Sequence, residues 1–123
     1  HPVVNLMEGQ KNITKKGGTM RLGSYSCDLK KNSNAFRSYR RKSVTERHRH
    51  RFEFNNKYLS KYESAGMIAT GKNIANNLVE IIEIPKHSWF VGVQFHPEYQ
   101  STVASPHPLF TGFIKACLNN KTK

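Results

Sequence analysis

From Val44 to Phe54 the chain reads VTERHRHRFEF, an unbroken alternation of side-chain types. A repeat of two puts successive side chains on opposite faces of an extended strand and gives a helix no coherent stripe. One face of the predicted strand carries Arg47, Arg49, Arg51 and Glu53, and the other carries His48, His50, Phe52 and Phe54. A long strand is not stable alone. Its backbone needs neighbours and its aromatic face needs a core, so this chain has to build a sheet.

The remaining punctuation fits a layered α/β domain. Residues 1–16 read as an irregular or briefly helical lead-in closed by Gly17-Gly18, and Thr19–Leu29 as two short strands broken at Gly23. Residues 30–43 are polar and basic around Phe36 and Tyr39, as in a surface excursion with one helical turn. Beyond Asn55-Asn56, the residues Tyr58, Leu59, Tyr62 and Ala65 fall at helical spacing, with Gly66 placed for a C-terminal cap. Met67–Thr70, Leu78–Ile84 and Phe90–Phe95 follow as strands, the last stopped by Pro97. Phe110, Phe113, Ile114, Cys117 and Leu118 make an amphipathic stripe behind Pro108, which predicts a final helix turning that stripe to the core.

A length of 123 residues suits one domain, with no repeat or linker in view. Basic residues number 20 against 8 acidic, a formal net charge of +12, with Arg37, Arg40, Arg41, Lys42, Arg47, Arg49 and Arg51 close together. Such a balance suits polyanions, or is simply solvated charge spread over the surface. A small basic nucleic-acid-binding module is therefore an alternative reading. It would interleave base-stacking aromatics with its cations, whereas the aromatics of the 44–54 strand lie opposite the arginines.

No apolar run approaches the roughly 20 residues that span a bilayer, and nothing at the N-terminus reads as a signal peptide, so no membrane partner is expected. The start at His1, without Met, is read as a cut. Cys27 and Cys117 match no metal or redox spacing. Cys117 reads as a buried free thiol in the last helix and Cys27 as a strand thiol, which points to a reducing compartment.

One short stretch could carry chemistry. Phe95-His96-Pro97-Glu98 closes the last strong strand, and residues two apart in extended geometry project to the same side. A carboxylate beside an imidazole selects its tautomer and stabilises the ring once it accepts a proton. Pro97 ends the strand and stiffens the turn between them. On this chemistry alone the pair reads either as a general base with its orienting acid or as a structural turn. His48 and His50 share a face with phenylalanines, which favours packing over a metal site. His1, His87 and His107 read as surface or turn residues, and Arg21 as either a buried pairing residue or a surface one.

Val93–Glu98, VQFHPE, is similar to the signature closing the sheet of class I glutamine amidotransferases. Gly17–Gly23 (GGTMRLG), Glu46–Asn56 (ERHRHRFEFNN), Leu78–Glu98 (LVEIIEIPKHSWFVGVQFHPE) and His107–Ala116 (HPLFTGFIKA) narrow the resemblance to the CTP synthases. In order and spacing these stretches span most of the chain from Gly17 to Ala116. The resemblance implies a partial class I glutamine amidotransferase fold, a mixed sheet with flanking helices. Residues 1–123 would be the C-terminal portion of that domain. It implies His96 as general base, Glu98 as the residue that orients it, and Arg51 as the clamp on the α-carboxylate of glutamine, facing the same cleft. A guanidinium fork does match a carboxylate bidentately.

For the whole enzyme the resemblance implies ATP-dependent amination of UTP to CTP with ammonia from glutamine, in the cytoplasm, within a tetramer. ATP and Mg²⁺ would bind a synthetase domain upstream, and GTP would activate glutamine hydrolysis beside the basic Arg37–Arg51 region. No cofactor is expected in this chain. The departure is as clear: no Gly-x-Cys-x-Gly elbow occurs, so the nucleophile is expected upstream of His1 and the chain alone to be inactive. A regulatory remnant that lost the elbow is the other alternative.

Overall fold

The computed structural model describes residues 1–6 and 20–121. Its strands are β1 (Val4–Leu6), β2 (Arg21–Leu29), β3 (Ser43–His50), β4 (Phe52–Phe54), β5 (Ile68–Asn73), β6 (Leu78–Glu83) and β7 (Val91–Val93). The helices are α1 (Asn34–Tyr39), α2 (Leu59–Ser64) and α3 (Pro108–Lys121), with single 3₁₀ turns at Asn56–Tyr58 and Pro97–Gln100. One sheet has the order β3-β2-β5-β6-β7, and β1 pairs with β4 in a second. Every pairing among the described strands is antiparallel. With α1 and α3 packed together beside the larger sheet, this is the layered α/β arrangement expected of the partial amidotransferase fold, its described strands antiparallel rather than mixed. Among the described residues, no helix is long and apolar enough to cross a membrane.

The long alternating segment does not stay one strand. β3 ends at His50, the chain bends at Arg51, and β4 resumes in the other sheet. The bend resets the phase. Before it, Glu46 and His48 are buried and Arg47 and Arg49 exposed; after it, Phe52 is 52% exposed and Glu53 only 4%. Phe52 and Glu53 thus lie on the faces opposite to those the alternation predicts. The cause is that a strand's period holds only while it stays in one sheet.

Two further elements differ from expectation. Val4–Leu6 is a strand rather than irregular lead-in, Val4 lying opposite Phe54; residues 7–16, and the Gly17-Gly18 punctuation with Thr19, fall outside the described residues. β2 is continuous through Gly23, which stays paired with His48 although its φ is +111°. Glycine adopts that angle without a Cβ clash, so the strand distorts there instead of breaking.

The local signals at helix ends appear as read. Gly66 has φ +94°, its N–H donates to Glu63 O at 3.0 Å, and Met67 N–H donates to Tyr62 O at 3.0 Å, closing α2. At α1, the Ser33 hydroxyl accepts from Phe36 N–H at 2.9 Å, while Glu83 accepts from the N–H groups of Asn34 and Ala35 at 2.8 and 3.0 Å.

The core consists of Cys27, Leu29, Ala35, Ile81, Phe95 and Leu109, with Phe36, Tyr39, Val44, Val91 and Val93 against it. In α3 only Leu109 is buried. The stripe predicted to face inward is open: Phe110, Phe113, Ile114 and Leu118 are 42–58% exposed, and Cys117 is exposed rather than buried. Helical spacing shows that the side chains share a face. It does not show that these residues have anything to cover it.

β5 and β6 pair with register shifts between Ala69 and Gly71 and between Gly71 and Lys72. These leave Thr70 and Glu80, both 1% exposed, turned inward beside buried neighbours instead of alternating outward.

Candidate active site

His96 follows the last sheet strand, and Pro97 opens the 3₁₀ turn that carries Glu98. Proline suits this place because its fixed φ starts the turn and it has no N–H to leave unpaired. His96 Nδ1 lies 2.7 Å from Glu98 Oε1. The ring stacks on Tyr99 with centroids 4.9 Å apart and planes 17° from parallel. The hydrogen bond from His96 holds the Glu98 carboxyl below its ordinary range, so Glu98 is an acceptor only. In the neutral imidazole, then, the proton sits on Nδ1 and the Nε2 lone pair is free to accept one. The His96 and Glu98 side chains keep 35% and 55% of their exposure, which leaves the pair accessible.

Arg51 sits at the bend between β3 and β4, half-buried. Among the described residues it donates no hydrogen bond. The backbone tie from the His96 turn to this region goes to Arg47, whose carbonyl accepts from His96 N–H at 2.9 Å. Arg47 and Arg49 point their side chains to solvent.

The remaining histidines of this segment serve packing. His48 Nε2 lies 2.9 Å from Glu80 Oε2, its Nδ1 lies 3.0 Å from the Glu46 carbonyl, and His50 Nε2 lies 2.8 Å from Glu53 Oε1. Arg21, 4% exposed, is a buried pairing residue that bridges Glu53 and Glu80 and lies 4.3 Å over the Tyr25 ring. Burial alone would raise the Glu80 carboxyl, but the hydrogen bonds from His48 and Arg21 outweigh it and hold the group low. A buried carboxylate without such donors would be strongly unfavourable.

His107 departs from its reading as a surface or turn residue, for it is only 2% exposed. Its Nε2 lies 2.9 Å from Glu46 Oε1, and its Nδ1 accepts from Leu109 N–H at 3.3 Å. Tyr39 donates to the same Glu46 oxygen at 2.6 Å, and Gln100 Nε2 donates to Glu46 Oε2 at 2.8 Å. Burial, and then the bond to Glu46, push the Tyr39 phenol well up. Glu46, Gln100 and His107 were not legible as a group. The available signal was Glu46 on the same strand face as His48, since an acid on an inward face needs donors from elsewhere.

Neither cysteine resembles an activated nucleophile. Cys27 is fully buried in the core, where burial and the neighbouring carboxylate Glu80 push its thiol up to about 12. Cys117 lies on exposed α3.

The comparisons with known proteins bear on the family and the fold. The family model described as glutamine amidotransferase class-I matches residues 3–116. The chain is 58% identical over 123 residues to the CTP synthase of Flavobacterium johnsoniae, covering all of this chain and 23% of that protein. With the CTP synthase of Bacteroides thetaiotaomicron it shares 56% identity over 121 residues, 98% of this chain and 22% of the relative. The chain thus spans less than a quarter of the curated relatives it matches. Among solved structures, the glutaminase domain of Trypanosoma brucei CTPS with bound acivicin superposes with a TM-score of 0.87 at 34% identity, over 97% of this chain and 47% of that one. A putative GMP synthase protein from Thermoplasma acidophilum shares the fold, with a TM-score of 0.68 at 17% identity over 97% of this chain and 50% of that one.

Proposed function

Because the chain belongs to the class-I glutamine amidotransferase family, we propose that it is the general-base portion of a CTP synthase glutaminase domain. The observation that carries this reading is the 2.7 Å contact between His96 Nδ1 and Glu98, which leaves Nε2 as the proton acceptor. His96 takes the proton of a cysteine nucleophile contributed by another part of the longer protein, and passes it to the departing ammonia. Glu98 keeps the imidazole in the required tautomer and stabilises its charged form. Arg51 holds the α-carboxylate of glutamine through its guanidinium fork.

The thioester formed on that cysteine is then hydrolysed to glutamate. The released ammonia aminates UTP in a synthetase domain of the same protein, which uses ATP and Mg²⁺, with GTP as activator, in a tetramer. No residue here is assigned to those ligands. The chain alone releases no ammonia from glutamine, because it brings a base without a nucleophile.

The test is made in the full-length protein. His96→Ala is expected to abolish glutamine-dependent CTP formation and leave formation from free ammonia intact. Equal loss with both nitrogen sources would return His96 to a structural role.

A further inference from the structure

The turn that carries the His96–Glu98 pair is short and exposed, yet it is fastened to β3 at consecutive residues. His96 N–H donates to Arg47 O at 2.9 Å, while Gln100 Nε2 donates to Thr45 O at 3.0 Å and to Glu46 Oε2 at 2.8 Å. The Glu46 carboxylate, 3% exposed, is itself held by Tyr39 and His107 on its other oxygen. His107 N–H donates to Ser101 Oγ at 3.0 Å, just past the turn, and its ring edge packs against Tyr39 at 5.4 Å.

We infer that Glu46 is a positioning residue: a buried acid that clamps Gln100 and so sets where the His96 imidazole stands. The inference rests on the reading of His96 as the general base. Two features single Glu46 out from an ordinary buried acid. Its Oε1 is engaged by Tyr39 and His107, which hold the carboxylate without help from Gln100. Its Oε2 is then directed at Gln100, an exposed side chain whose other bond goes to the Thr45 carbonyl of the same strand. The arrangement moves placement from the rigid sheet to an accessible turn through one side-chain pair. An imidazole needs such support because proton transfer depends on a heavy-atom approach of roughly 2.6–3.2 Å.

A double-mutant cycle in the full-length protein tests this. Gln100→Glu sets two carboxylates against each other and pushes the turn off β3, while the fold is kept because residue 100 is exposed. The glutamine-dependent kcat is expected to fall roughly ten- to a hundredfold, the scale for a misplaced catalytic group. The KM for glutamine and the ammonia-dependent rate should not move, and general damage to the fold would move both.

Adding Glu46→Gln restores a donor opposite the new acceptor and should recover most of the lost kcat, a coupling that independent structural roles would not produce. A Gln100→Glu variant whose kcat stays within about twofold of the parent overturns the inference, as does a double variant no better than Gln100→Glu. Persistent glutamine turnover in His96→Ala would instead remove the reading beneath it.

Discussion

His48 Nε2 lies 2.9 Å from Glu80 Oε2 at a point where neither side chain retains any exposure. Glu80 reaches this position through the irregular pairing of β5 with β6, and Arg21 meets its other oxygen. The carboxyl is held below its ordinary value of 4.5. In the window beneath that value the folded chain therefore binds fewer protons than the unfolded one, and stability falls as pH is lowered through the folded pKa.

Urea unfolding of the parent and Glu80→Gln across acid pH checks this. The parent's advantage should be full above about pH 5 and shrink steadily below it. At neutral pH, Glu80→Ala should cost about 3–5 kcal/mol, because it leaves buried Arg21 with Glu53 alone and strips His48 Nε2 of its partner.

The two thiols should differ sharply in reactivity. With its thiol pushed up to about 12 and no exposure, Cys27 holds almost no thiolate and admits no reagent. Cys117 is exposed. Iodoacetamide followed by peptide mass spectrometry should find Cys117 modified in the native chain and Cys27 modified only after denaturant is added. Native labelling of Cys27 at a comparable rate would contradict the packing described here.

Gly71 is required by close approach. A Cβ there would lie 2.5 Å from Ile81 Cγ1 and 2.7 Å from Cys27 Sγ, both in the core. Both neighbours are fully buried, so neither has open space to move into. Gly71→Ala should destabilise by about 1–3 kcal/mol, read as a lower urea midpoint. An unchanged midpoint would mean that the sheet relaxes more easily than its packing implies.

Arg51→Ala in the full-length protein should raise the KM for glutamine roughly ten- to a hundredfold, the worth of one charged hydrogen-bond partner at about 1.5–3 kcal/mol. CTP formation from free ammonia should survive. Steady-state kinetics with each nitrogen source makes the comparison, and a parallel loss in both would place Arg51 in the scaffold.

What the amino-acid order determined by itself was short-range. His96 and Glu98 are two apart, and the intervening proline opens the 3₁₀ turn that carries Glu98, so their meeting needs only local geometry. Gly66 caps α2 because its own backbone freedom allows φ +94°, and α3 runs through the segment whose apolar residues recur at helical spacing. The resemblance carried by VQFHPE and ERHRHRFEF likewise resides in local strings of residues.

Only the tertiary structure decided which surfaces face what. The alternation from Val44 to Phe54 is real, but a bend at Arg51 sends its end into another sheet and exchanges the faces of Phe52 and Glu53. The apolar stripe of α3 is equally real and yet exposed, because periodicity describes one helix and burial depends on what lies against it. His107 reads as a turn residue until Glu46, 61 positions away, is seen to hold it. Buried polar groups find partners wherever the packed chain puts them, and sequence separation sets no limit on that.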